Sequence, residues 1–157
     1  MTNIAIIGAT GNVGRKTLEV IEKKDIKFDN IFLVASSNSA GKKISFMGKD
    51  YEVYDLEKYD FSKANITFFA AGGKIAEQYA EKAAKFTTVI DNSSFFRMDP
   101  DVPLIVPQVN ADKISEMKKN IVANPNCSTA QLVIALKPLH DLYLSLIHIS
   151  EPTRLVS

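Results

Sequence analysis

Short apolar, β-branched runs recur along this chain, and most of them hand over to a glycine- or asparagine-bearing turn and then to a helical pattern. Runs of this kind stand at Ile4–Ile7, Ile31–Ala35, Asn65–Ala71, Thr87–Ile90, Leu104–Val106 and Ile121–Ala123. Helical patterns follow Gly14, run from Lys74 to Lys85 and from Ala111 to Lys119, and leave Thr129 towards Leu139. Continuous apolar runs of this length suit strands buried on both faces. Their alternation with helices predicts an α/β fold, a doubly wound, mostly parallel sheet with helices on both faces. At 157 residues, 46% hydrophobic and 24% charged, the chain is long and apolar enough for one such core. One segment departs from the alternation. Lys43 to Glu57 alternates loosely around Met47-Gly48-Lys49-Asp50 and predicts a peripheral hairpin.

The first strand runs into Gly8-Ala9-Thr10-Gly11-Asn12-Val13-Gly14, and Val13, Leu18, Val20 and Ile21 then fall near helical spacing. Strand, glycine turn and helix is the context in which such a motif binds a dinucleotide, and it makes the fold Rossmann-like. Glycines permit a tight turn and close approach of a pyrophosphate to the helix N-terminus. The spacing is G-x-x-G-x-x-G, so the setting carries more weight than the motif. After the second strand, a site for NAD usually presents an acidic residue to the ribose 2′-hydroxyl. This chain has Ser36-Ser37-Asn38-Ser39 followed by Lys42 and Lys43, which suits a 2′-phosphate and therefore NADP. Gly72-Gly73 either brings backbone to the cofactor or only makes a turn.

Two further stretches carry polar chemistry. Asp91 to Arg97 leaves the fourth strand, and Phe95 and Phe96 are expected to anchor it in the core. That would hold the Arg97 guanidinium for bidentate recognition of a phosphate or carboxylate. An ion pair with Asp99 or Asp101 is the alternative. Pro100, Pro103 and Pro107 are expected to keep helix out of the next segment. The last strand delivers Asn124-Pro125-Asn126-Cys127-Ser128-Thr129, which holds the only cysteine. Pro125 disfavours helix at Asn124, so Asn126 or Cys127 sits at the helix N-terminus. Backbone N–H groups there favour a thiolate and can stabilise an oxyanion. Cys127 is either a covalent nucleophile or, like most lone cysteines, a buried inert side chain.

With these stretches placed, the chain resembles aspartate-β-semialdehyde dehydrogenase. The resemblance rests on Gly8 to Gly14, Ser39-Ala40-Gly41-Lys42, Asp91 to Arg97 with Val102-Pro103-Leu104, and Asn124 to Thr129. It covers residues 1 to about 143 and resembles the N-terminal half of the bacterial form. It implies NADP as cofactor, contacted by Gly8, Thr10, Gly11, Asn12, Val13 and Gly14 and by Ser36, Asn38 and Ser39. It implies Cys127 as nucleophile, with Arg97 and Asn126 binding substrate and phosphate. The implied reaction reduces L-aspartyl-4-phosphate to aspartate 4-semialdehyde through a cysteine thioester, releasing phosphate. That reaction serves lysine, diaminopimelate, methionine, threonine and isoleucine biosynthesis. The family often has arginine where Asn38 stands, leaving Ser36, Ser39 and Lys42 to meet the 2′-phosphate. Its Pro-Glu-Val-Asn appears as Pro107-Gln108-Val109-Asn110. The second, catalytic and dimerisation, domain would lie largely outside this chain, and the full-length protein would be a homodimer or homotetramer.

Other readings are narrower. N-acetyl-γ-glutamyl-phosphate reductase usually flanks its cysteine with glycine and tyrosine, whereas Asn126 and Ser128 flank Cys127. A non-catalytic dinucleotide-binding module would fit the scarcity of histidine. His140 is 13 residues beyond Cys127, about 20 Å of rise on a continuous helix, and is expected at a helix end where Pro138 kinks or breaks the last turn. Net charge of +1 gives no general attraction to nucleic acid or a membrane surface. The absence of a signal core or a long apolar run makes a cytoplasmic protein the expectation. One cysteine excludes a cysteine-rich metal site. Leu144 to Arg154, including His148, resembles a translated transposon-end sequencing adapter, so 144–157 is set aside as a non-native tail. On this reading the domain ends at 143, the reading frame is truncated, and the chain by itself is inactive.

Overall fold

The computed structural model describes the backbone of residues 2–149 and the side-chain surroundings of residues 2–143. The expected tail at 144–157, with His148, lies outside the residues whose side chains are described. Seven strands form one sheet in the order β3-β4-β2-β1-β5-β6-β7. They are β1 (Asn3–Ile7), β2 (Asn30–Ala35), β3 (Lys43–Phe46), β4 (Lys49–Asp55), β5 (Ile66–Phe69), β6 (Thr88–Asp91) and β7 (Ile121–Ala123). All pairs are parallel except β3 with β4, the expected hairpin. The hairpin extends the sheet because β4 also pairs with β2, which puts β3 at one edge and β7 at the other.

The two-residue period of a strand splits β1 between two cores. Ile4 and Ile6 pack with Leu18 and Ile21 of helix α1 (Asn12–Lys23). Ala5 and Ile7 face the other way, in the core that holds Ala76, Ala80 and Ala83 of α2 (Gly73–Ala83). These alanines recur at helical spacing and let α2 lie close on the sheet. Val13 and Val20 of α1, expected on its apolar stripe, are exposed. They border an apolar groove of about 390 Å³ whose floor includes Phe68 and Ile90. The groove exists because β5 and β6 bury Thr67, Phe69, Val89 and Asp91 on the α2 side and leave the alternate residues half-buried on the α1 side.

Three local expectations need correction. Pro107 opens a short helix, α3 (Pro107–Asn110), because proline lacks only an N–H that the first helical position would leave unpaired. Leu104–Val106 makes a single parallel bridge, Leu104 to Ala123, and no strand. Pro103 and Pro107 on either side cannot donate to a ladder. Ala111–Glu116 is a 3-10 helix, shorter than the helix expected to Lys119.

The last helix, α4 (Cys127–Ile149), continues through Pro138, so of the expected kink or break the break does not occur, and His140 lies in the helix interior. Proline there deprives the Ile134 carbonyl of its N–H partner. Both residues are exposed, so water can take that partner's place.

Candidate functional site

In an open parallel sheet the ligand crevice lies beyond the carboxyl ends of the strands, where the order reverses. Here that point is β1, between β2 and β5. The chain leaving β1 is drawn back by the Gly8 and Ala9 N–H groups, which donate to the Val34 carbonyl at 2.8 and 3.1 Å. Gly11 then caps α1 with extended backbone and no side chain over the helix end. No acidic residue occupies the first turn of α1. The first N–H groups of this helix have no acceptor within it, which makes Asn12, Val13 and Gly14 the donors for an anion.

Two glycines are required by close packing. A Cβ on Gly14 would meet the Gly8 carbonyl oxygen at 2.3 Å and the Ala9 Cα at 2.7 Å. Gly8 has φ +87°, and a Cβ there would meet the Ala70 carbonyl oxygen at 2.8 Å. These contacts hold the glycine loop tight against α1 and against the chain leaving β5, and the tight turn, with a side-chain-free cap at Gly11, fits a dinucleotide pyrophosphate at the helix end. Thr10, half-buried, accepts from Arg15 Nε through its carbonyl at 3.2 Å, which latches the loop to α1. Beside the cradle, β2 ends in a 3-10 turn, Ser37–Ser39. Ser36 and Asn38 are exposed there and Ser39 is half-buried, all open to a ribose. Gly72 caps α2 at φ +87°, with open space where its Cβ would be, so this glycine serves the turn.

The second cluster lies over β6 and β7. Asp91 is fully buried, and its carboxylate accepts from the Ser93 N–H and hydroxyl at 3.0 and 2.7 Å. Ser93 Oγ in turn accepts from the Phe95 N–H at 3.1 Å, which rigidifies the loop. Of the two expected anchors only Phe96 is buried; Phe95 stands against it edge-on and is 45% exposed. One anchor suffices because Arg97 is held by hydrogen bonds. Its Nε donates to the Asn124 carbonyl at 3.0 Å and its Nη2 to the Asn92 carbonyl at 3.3 Å. The alternative ion pair is not formed. Asp99 binds Lys119 at 2.9 Å and Asp101 binds Lys118 at 2.8 Å. The hydrogen bond from Lys119 holds the Asp99 carboxyl below its ordinary range. Arg97 keeps the remainder of its planar fork of donors for a ligand.

Cys127 is the first residue of α4 and is exposed, which removes the buried alternative. Pro125 is buried beneath the turn. Asn126 Oδ1 accepts from the Thr129 N–H at 2.8 Å, so Asn126 caps the helix. The first intrahelical bond runs from the Ala130 N–H to the Asn126 carbonyl at 3.0 Å. The Cys127 and Ser128 N–H groups thus have no acceptor inside the helix and stand beside the sulfur. His140 is exposed on the same helix, out of reach of Cys127.

Sequence reading missed Asn92 and Asn124. Asn124 Nδ2 donates to Asn92 Oδ1 at 2.6 Å, joining the two loops. The available signal was positional: each is the first residue after one of two neighbouring strands, where side chains from separate turns meet.

Comparison with known proteins matches residues 3–117 to the NAD-binding domain of semialdehyde dehydrogenase. A curated aspartate-semialdehyde dehydrogenase of Aquifex aeolicus is 50% identical over 141 residues, 88% of this chain and 42% of that protein. The crystal structure of aspartate semialdehyde dehydrogenase II from Vibrio cholerae, complexed with ASA, superposes with a TM-score of 0.86 at 48% identity, over 88% of this chain and 46% of that one. The enzyme from Candida albicans, solved with NADP, superposes at 0.67 and 28% identity, over 91% of this chain and 48% of that one. The chain spans less than half the length of the relatives it matches.

Proposed function

The chain belongs to the semialdehyde dehydrogenase family through its NAD-binding domain, and on that premise we propose that residues 1–143 are the dinucleotide-binding part of an aspartate-semialdehyde dehydrogenase. The observation that carries the reading is the exposed Cys127 at the first position of α4, tied through Asn124 to Arg97. A thiol at a helix N-terminus is set up as a nucleophile. Cys127 attacks the acyl carbon of L-aspartyl-4-phosphate. The N–H groups of the first turn stabilise the resulting oxyanion. Collapse expels phosphate, which the free donors of Arg97 hold, and leaves a thioester on Cys127. Asn126, whose oxygen caps the helix, offers its amide N–H groups to the substrate. A nicotinamide dinucleotide, when bound, supplies the hydride that takes the thioester to the aldehyde.

Gly8 to Gly14 would hold its pyrophosphate, and Ser36, Asn38 and Ser39 its ribose. NADP is the preferred form, because no carboxylate follows β2 and Lys42 and Lys43 lie just beyond the serines. Turnover also needs a proton donor or acceptor near Cys127. No histidine among the described residues reaches it, so we expect the 157 residues alone to complete acylation and no full cycle. Cytoplasmic location and assembly as a homodimer or homotetramer with the rest of such an enzyme belong to the same proposal. Among the described residues no helix is long and apolar enough to cross a membrane.

Acylation tests the reading directly. The chain is incubated with L-aspartyl-4-phosphate, and the mass of the Cys127 peptide and the released phosphate are followed. A single hydroxylamine-labile adduct on Cys127, formed at least about tenfold faster than on a free thiol, is expected. It is lost in Cys127→Ser and slowed in Arg97→Ala. Acylation no faster than that of glutathione overturns the reading.

A further inference from the structure

Asn124, just ahead of the cysteine turn, is held to the neighbouring strand end and loop through three of its polar groups. Its N–H donates to the Asp91 carbonyl at 2.8 Å. Its carbonyl accepts from Arg97 Nε at 3.0 Å. Its side-chain amide donates to Asn92 Oδ1 at 2.6 Å. All three partners come from the end of β6 or the segment that leaves it, and Asn92 is tied twice, since its own carbonyl accepts from Arg97 Nη2. Asn92 is further fixed to the sheet by its N–H, which donates to the Phe69 carbonyl at 3.0 Å. Backbone bonds of this kind form whatever the side chains are. The amide bridge is the one link that depends on residue type at both ends, and it is half-buried, where a hydrogen bond is stronger than in water.

We propose that Asn92 is a positioning residue, which through its amide bridge to Asn124 sets the distance between the Cys127 thiol and the Arg97 guanidinium. The inference rests on the reading of Cys127 as nucleophile and Arg97 as phosphate ligand. The chemistry asks for such a link. The acyl carbon must meet the sulfur while its phosphate meets the guanidinium, and the two groups come from separate strand ends, β7 and β6. A small relative displacement of two such groups lowers the rate of a reaction that needs both. It leaves untouched a reaction that needs the thiol alone. Arg97 also contacts both loops, but it touches the substrate as well, so its removal confounds the two roles. Asn92 separates them.

The experiment compares two modifications of Cys127 in the 157-residue chain: acylation by L-aspartyl-4-phosphate and alkylation by iodoacetamide. Asn92→Ala is expected to slow acylation by about tenfold, the equivalent of one hydrogen bond, and to leave alkylation within about twofold. Asn124→Ala, which breaks the bridge from the other side and serves if Asn92→Ala does not fold, is expected to give the same change in the ratio. The double variant is expected to be no worse than either single one, as coupling through one bond requires. Equal slowing of both reactions, a change in thermal midpoint with an unchanged ratio, or additive losses in the double variant each overturn the proposal and leave the nucleophile reading standing. If the parent chain is not acylated faster than a free thiol, the functional reading fails first and the proposal falls with it.

Discussion

Tyr59 shows how a single residue can be well packed and still carry a defect. Its ring lies edge-on to Phe61 at 5.4 Å and near Phe32 and Tyr54, and the residue is 9% exposed. Its hydroxyl has no hydrogen-bond partner. Burial, assisted by the charge of Asp60, pushes the phenol well above its ordinary value. A folded-state value above the unfolded one means that the native chain holds the proton more tightly. Stability is therefore intact below about pH 10 and falls as pH rises through the unfolded value. Tyr59→Phe removes both the orphan hydroxyl and this alkaline sensitivity. We expect it to raise stability by about 1 kcal/mol at pH 7 in urea denaturation and to flatten the loss above pH 10. Nothing in the sequence around Tyr59 marks it, because an unpartnered hydroxyl is a property of its neighbours. Cys127 is the opposite case: its setting after Asn124-Pro125-Asn126 was legible, since proline and a capping amide act locally.

Elements divide in the same way. The glycine turn and α1 were readable, and the structure adds which glycine is indispensable. A Cβ on Gly14 runs into backbone atoms that cannot move aside, whereas one on Gly72 meets nothing. Gly14→Ala is expected to cost about 2 kcal/mol or more and to abolish NADPH binding, measured by nucleotide fluorescence. Gly72→Ala should cost only the strain of its positive-φ, extended backbone, about 1–3 kcal/mol, and leave binding near the parent value. At α4, Asn126→Ala removes the cap and should cost about 1 kcal/mol, with loss of helical signal. The break offered at Pro138 does not occur, because the rule against proline in a helix assumes that the stranded carbonyl has no other partner. Leu104–Val106 was misread because its apolar sequence resembles a strand while the flanking prolines withhold the donors that would make one.

Across the whole molecule, apolar surface is unevenly covered. Leu132, Leu136, Leu139, Leu142 and Tyr143 of α4 are exposed, as are Val13 and Val20 beside the groove along α1. Surface of this extent drives association in water. Light scattering of the purified chain should show mass rising with concentration, and Leu136→Gln with Leu139→Gln should reduce it; a monomer at all concentrations would contradict the exposed face. The alternation of apolar runs and helical patterns determined the mostly parallel sheet and the two candidate turns, because periodicity, glycine and proline act within a few residues of chain; the strand order, with its reversal at β1, came from the structure. The sequence likewise supplied Cys127 and Arg97 as separate candidates. The resemblance implied that the two act together; the bonds that hold them side by side were decided by tertiary structure. The Asn92–Asn124 bridge, the release of Arg97 from Asp99 and Asp101, and the bare faces of α1 and α4 all depend on which strand ends lie side by side, and hydrogen bonds between residues some thirty positions apart leave no local trace.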